Sequence, residues 1–537
     1  MKRLLLALIL SLLHASASAQ CNGVFSANTI CGTVAGGIPG QVPTSVLTGV
    51  PGGANGQIQY NNSGAFGGFT AGGDLTFAVP NFTVNTFGTA QSGKVPASGG
   101  GTTNFLRADA TWDPVATSVF TRTGAVVATL HDYNSSLIDT TSALTGGVLR
   151  TQLSKNGDII NAADFGVVCD GSTVNTTAWA AAISAFPTTG GILDVPRGIC
   201  IGTVVLNKPI IFRGQGWSNS GSTGTCGSEI RSTAAADNVI LISSQGVQVR
   251  DLCVTSSVAV GSRTGAGIKV TSGPNVLISR VFSSAHKYGV WNQGAGNEFE
   301  HVFTVGNQTY GMFFDGSTGT GSLNETGIYF CQANGNLGTA GIGIVAGGFA
   351  STGIFMVRPT AATNTGAGIL ISGAINDIHI TVPELSSNTL NQLDAVNGSG
   401  GNLTVSDGLI ETVTGGGTAF DIGTAQQFVT VTGSIITSPG GTTMILAGIQ
   451  SVITGNIIVG GGTAAVISYG AAANNMTISG NTITGNSGAG EVGISIAAGL
   501  TGCMIGANVF TTLPIQISDG TAACTYAAIT TTKPTYP

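Results

Sequence analysis

The sequence predicts an all-β solenoid, and three observations carry that prediction. A short phrase returns along the chain, residues inside each phrase alternate apolar and polar, and Gly, Ser, Thr and Asn replace the charged residues a globular surface would carry. The first run of the phrase reads AGIKV ending at Val270, YGVWN at 288–292, YGMFF at 310–314, AGIGI at 340–344, AGILI at 367–371, TAFDI at 418–422 and VGISI at 492–496. A second run follows each, as in NVLISRVF from Asn275, NEFEHVF from Asn297, INDIHITV from Ile375, FVTVTGSII from Phe428 and MTISGNTI from Met476. Returns come every 22 to about 30 residues. Self-similarity at that period, with period-2 alternation inside each unit, marks stacked β-coils. Successive coils are expected to stack at about 4.8 Å, with Val and Ile in ladders along a narrow core.

Composition agrees and excludes other classes. Charged residues make up 8% of the 537 and glycines number 84, against a usual charged fraction of about 25%. With 42% apolar residues set in a period, the chain can bury a core and is not of disordered composition. A formal net charge of −6 and the lack of a basic cluster argue against nucleic-acid binding. Residues 1–19 carry Lys2 and Arg3, an apolar run from Leu4 to Leu13, and Ala17-Ser18-Ala19. This predicts a secretory signal cut before Gln20, and no segment of membrane-spanning length. Nine cysteines suit an oxidising destination. Sequence proximity suggests Cys21 with Cys31, Cys169 with Cys200, Cys226 with Cys253 and Cys503 with Cys524, leaving Cys331 over.

Taken in order, residues 20–155 are short Gly-, Asn- and Thr-punctuated runs of hairpin character. The phrases GGANGQIQYNNSGAFGGFT at 52–70, VPASGGGTTNFLRADATW at 95–112 and SVFTRTGAVVATLHDY at 118–133 resemble modules of phage tail-fibre proteins. That resemblance implies a slender stalk assembled as a homotrimer. From Asn161 the chain reads NAADFGVVCDGSTVNTTAWAAAISAFPTTGGILDVPRGICIG. Asp164-Phe165-Gly166, Asp170-Gly171, a short helix over 176–185 and the run from Gly190 to Pro196 are similar to the opening of the pectate-lyase-like superfamily, which includes rhamnogalacturonase-like and epimerase-like proteins. The resemblance implies a right-handed parallel β-helix, here over 156–515, with a tail at 516–537. It also implies action on polysaccharide. Thr176 is expected to cap the helix, with Trp179, Ile183 and Phe186 facing the solenoid mouth and covering open strand edges.

In such a fold the outward residues form any site, so register decides which they are. If Ile268, Val290 and Met312 point inward, Lys269, Trp291 and Phe313 stand in one outward column, a stacking surface for sugar rings. In the second run, alignment sets Asp251, Arg280, His301, Asn456, Asn481 and Asn508 at one turn slot, with Arg250, Ser279 and Glu300 before it. Stacked Asn residues there make amide ladders, and Arg280 and His301 are either charged members of that ladder or substrate-binding groups. Glu298 and Glu300 are the chain's one pair of carboxylates two residues apart, and Asp315 ends the first run one coil later. Paired carboxylates perform glycoside hydrolysis, which makes Glu298, Glu300 and Asp315 the candidate catalytic residues. No carboxylate cluster suited to a calcium-dependent lyase is evident, and no cofactor or metal is expected.

Two functions follow. One is an exported or phage-tail-like hydrolase of a polysaccharide or cell-surface glycan, placed in the periplasm, at the cell surface or on a virion tail. The other is a non-catalytic structural or adhesive β-helix that presents Trp291 and Phe313 to a glycan or to partner subunits.

Overall fold

The computed structural model describes residues 148–531 except for short loop stretches, together with Gln57 and the backbone of the strands before them. The signal segment and the Cys21–Cys31 pair lie outside the described residues. Two compact units divide the chain, 1–134 and 135–537. The first contains antiparallel strand pairs, among them Thr29–Thr33 with Pro39–Pro43, Ile58–Asn62 with Ala65–Phe69, and Leu75–Ala78 with Asn81–Val84.

The second unit is a right-handed parallel β-helix of about 13 turns, whose 39 strands form one continuous ladder. Each full coil contributes three strand faces. In one coil, Tyr288–Asn292 lies on the first face, and the continuous strand Glu298–Val305 supplies the second face up to Glu300 and the third from Val302. His301, at φ 51°, makes the corner between them. Inward positions stack in register. On the first face Ile268, Val290, Met312, Ile342 and Ile369 pair coil on coil, each fully buried. On the second face Ile278, Phe299, Ile328 and Met356 do the same. Each such side chain contributes about 1.5–3 kcal/mol by leaving water, so the alternation read in the sequence is the energy source of the stack.

The chain covers its open end as expected, with one correction. Helix Thr176–Ala185 buries Trp179 and Ile183, and Trp179 meets Phe212 edge-on at 5.5 Å. Its N-cap position is Asn175, not Thr176, and Asn175 makes no capping bond to the helix. The Asn175 amide instead joins Val168, Thr173 and Ile201 of the neighbouring backbone, while Thr176 Oγ1 accepts from Thr203 N. Disulfides Cys169–Cys200, Cys226–Cys253 and Cys503–Cys524 close, and Cys331 is free and buried. At the far end Ile515–Asp519, Thr525–Tyr526 and Thr530–Thr531 pair in parallel onto the preceding coil. None of the described helices is long and apolar enough to cross a membrane.

Two amide ladders run through the interior. Asn307, Asn336, Asn364 and Asn388 link side chain to side chain at 2.8–3.0 Å and end on Gln392. Asn456, Asn481 and Asn508 form the second, each step 3.0 Å. The second ladder does not share a slot with Asp251, Arg280 and His301. Gly433 and Gly455 occupy the positive-φ corner, and the ladder stands one residue later, where the chain turns back inward.

Candidate functional site

The register places Lys269, Trp291 and Phe313 in one outward column of the first face. The column is stacked on itself. Lys269 Nζ sits 3.5 Å above the Trp291 ring, a cation–π contact, and burial lowers the Lys269 pKa while the charge of Asp315 opposes that shift. Phe313 is only 9% exposed, because Tyr288 and Tyr310 cover it at 5.2 and 4.4 Å. Phe313 is therefore an interior layer and not an open platform. Tyr288 and Tyr310, register partners on successive coils, were not singled out from the sequence, although the phrases YGVWN and YGMFF carry both at one slot 22 residues apart. Gly343 makes room for the Tyr310 ring, since a Cβ there would lie 2.4 Å from Tyr310 Cε1.

Asp315 belongs to this cluster. It is 2% exposed, and its carboxylate accepts from Trp291 Nε1 at 3.0 Å, Gln293 Nε2 at 3.3 Å and Ser317 N at 2.9 Å. It stands on the first face, whereas Glu298 and Glu300 stand on the second, so the structure does not bring the three acids together. Farther along the same column Asp394 and Asp421 are register partners. The Asn391 amide donates to both, at 3.1 and 3.2 Å. Burial, then the neighbouring Asp394 charge, raises the Asp421 pKa.

On the second face Glu298 and Glu300 point outward on either side of buried Phe299. Two strand residues span about 7 Å along the backbone, so the two side chains leave one face of the strand at that spacing. The next coil brings Gly327 beside Glu298 and Tyr329 beside Glu300. Tyr329 folds its ring over Gly327, where a Cβ would meet ring carbon Cε2 at 2.5 Å. One coil further, Phe355 is 43% exposed and pairs with His379, the rings 5.4 Å apart. This face therefore sets two carboxylates beside a flat phenol ring and a second aromatic pair. Tyr329 and Phe355 were missed in the sequence because neither belongs to an obvious repeated phrase; the register alone brings them to the acids.

The corner column borders this face. Arg280 grips Asp251 of the previous coil with two bonds of 2.6 and 2.8 Å, and its pKa is raised first by that contact. This is the charged ladder rung, partly buried, and it fixes Arg280 in place. His301 lies 3.6 Å from Glu300 through Nδ1 and Oε1, both side chains nearly half exposed. On the other side of the corner a groove of about 570 Å³ runs along the third face from His301 to Ile435. Among the described residues no group of three or more His, Cys, Asp or Glu is placed to hold a metal ion.

This arrangement is carried on a fold seen in solved structures. Tailspike protein 3 of bacteriophage CBA120 is similar at a TM-score of 0.50 and 15% identity, over 95% of this chain and 84% of that one. The A-module of mannuronan C-5 epimerase AlgE6 from Azotobacter vinelandii gives 0.49 and 17%, over 70% and 100%. Tailspike protein gp49 of Acinetobacter baumannii bacteriophage Fri1, a capsular polysaccharide depolymerase, gives 0.43 and 13%, over 72% and 69%. At these identities the likeness is one of fold. No family model matches the chain, and no curated protein matches it.

Proposed function

We propose that the chain is a polysaccharide-acting β-helix that hydrolyses a glycan lying across the second face, with Glu298 and Glu300 as its acid and base. The observation that carries the reading is the pair of glutamates leaving one strand face with their backbone positions about 7 Å apart, beside the Tyr329 ring of the next coil, which folds over Gly327. A flat aromatic ring offers an apolar plate to the C–H face of a pyranose. A separation of about 6.5–9.5 Å leaves room for a water between the second carboxylate and the anomeric carbon. Glu300, beside His301 and near Arg280, is assigned as the base that takes a proton from that water. Glu298, two residues farther from the corner on the same strand, is assigned as the acid that protonates the leaving glycosidic oxygen. The likeness to tailspike protein 3 supports the fold on which this reading is built.

A second reading keeps the glycan and drops the chemistry. It is favoured by the first face, where Tyr288 and Tyr310 cover Phe313 and Lys269 lies on Trp291, an aromatic wall suited to adhesion or to a partner subunit. Release of reducing ends from a panel of bacterial and plant polysaccharides separates the two. The hydrolase reading expects release by the wild type, a loss of at least about 10³-fold in Glu298→Gln and Glu300→Gln, and a raised KM in Tyr329→Ala. Equal release by wild type and both glutamine variants would remove the assignment, and no release from any polymer would leave the adhesive reading.

A further inference from the structure

The groove on the far side of the corner is a second feature, and the acid pair does not line it. Its wall is the corner column itself, which runs His301, Phe330, Arg358, Val382, Asp407 and then Gly433. Its floor is the next outward column, with Gln332, Thr360 and Glu384 in register. Every wall residue sits at positive φ, from 51° at His301 to 62° at Gly433. This backbone region disfavours bulky and β-branched side chains. The fold has no need of them there, since Gly433, Gly455 and Gly480 occupy the same slot in later coils at 62–70°. Side chains have been placed on the wall at a conformational cost where glycine would serve, and strain of that kind collects at functional sites.

Those side chains are ordered as a recognition surface. Phe330 is 41% exposed, with the His301 ring stacked at 5.1 Å and the Arg358 guanidinium 5.8 Å from its centre on the neighbouring coils. Arg358 has no ion pair among the described salt bridges. Glu384 and Asp407 follow one coil after another, and Gly433 leaves space for the Asp407 carboxylate, which a Cβ would meet at 2.5 Å. Planar groups followed by carboxylate acceptors suit a sugar chain with C–H faces and hydroxyl donors. One guanidinium against two carboxylates, with Glu300 beside His301, repels a polyanion.

We infer that this corner groove is a separate binding site for an uncharged glycan strand, held along the helix axis by Phe330 and Arg358 and by hydroxyl bonds to Glu384 and Asp407. The inference does not depend on the acid pair of the second face, so its test is one of binding and not of cleavage. Affinity electrophoresis or calorimetry of the full chain is run against three neutral polymers, a glucan, a mannan and a galactan, and against a polyuronate.

The expected result is binding of at least one neutral polymer, weaker binding of the polyuronate, and at least a tenfold loss in Phe330→Gly and in Glu384→Gln. Phe330→Gly also relieves the positive φ, so its melting temperature is expected within about 2 °C of wild type or higher, which separates lost recognition from lost folding. Wild-type affinity in Phe330→Gly overturns the inference, as does tighter binding of the polyuronate or binding of no neutral polymer. Reducing-end release that persists in any of these cases leaves the hydrolase reading standing.

Discussion

At the corner of each coil from Asp251 to Gly480 one residue stands at positive φ, and its identity divides structure from recognition. Arg280 and Asp251 tie two corners together, whereas Phe330 and Arg358 face the groove. Left-handed backbone costs a non-glycine residue about 1–2 kcal/mol, so Arg358→Gly is expected to leave stability unchanged or raise it by up to about 1 kcal/mol, measured by urea unfolding. A loss of several kcal/mol would mean that the side chain is a structural brace. His286 is a different case. It is 2% exposed, and burial pushes its pKa down to about 3, with the Arg263 charge acting in the same direction. Its folded pKa lies below the unfolded value of about 6.5, so the fold favours neutral His286. The stability this gives is complete above about pH 6.5 and drains away as the pH falls toward 3. Between neutral pH and about pH 4.5 the loss expected is about 2–3 kcal/mol, and His286→Gln should flatten that slope. An unchanged acid slope in the variant would contradict the assignment.

The coil is where the sequence was most and least legible. The first-face phrases keep Gly and the apolar positions at fixed offsets, so the column Lys269, Trp291, Phe313 was readable before any coordinates. That Phe313 is covered was not, because Tyr310, three positions earlier, and Tyr288 of the previous coil fold over it. The second run misled at the corner for a physical reason. Alternation goes in at Phe299 and out at Glu300, and then the bend at His301 sends Val302 inward again, so a period of two cannot be carried through it. The same slip put Asn456, Asn481 and Asn508 one position early. These asparagines form a buried ladder in which each amide serves the next coil. Asn481→Ala takes the acceptor from the Asn456 backbone N–H and from one Asn456 amide hydrogen, and removes one of the two donors to Asn508 Oδ1, so a loss of about 2–3 kcal/mol is expected in chemical unfolding. A loss below about 0.5 kcal/mol would show that the ladder is ornamental.

On the scale of the whole molecule, the solenoid turns sequence separation into proximity. Glu298 and Tyr329 are 31 positions apart in the chain, yet Tyr329 covers the register partner of Glu298. Groups that no local motif joins, such as Phe330, Arg358 and Glu384, share one groove. The fold class was legible because a stack repeats its signal in every coil. The candidate acid pair was readable because Glu298 and Glu300 fall within one strand, and Asp315 was grouped with them although it stands on the next strand, on a different face. The central claim is that two carboxylates, leaving one strand at backbone positions about 7 Å apart, hydrolyse a glycan through a water held between them. Proton NMR of the first product formed from a cleaved polysaccharide reads the stereochemistry of that step. An inverted anomeric centre is the predicted result, and a retained one would contradict the account.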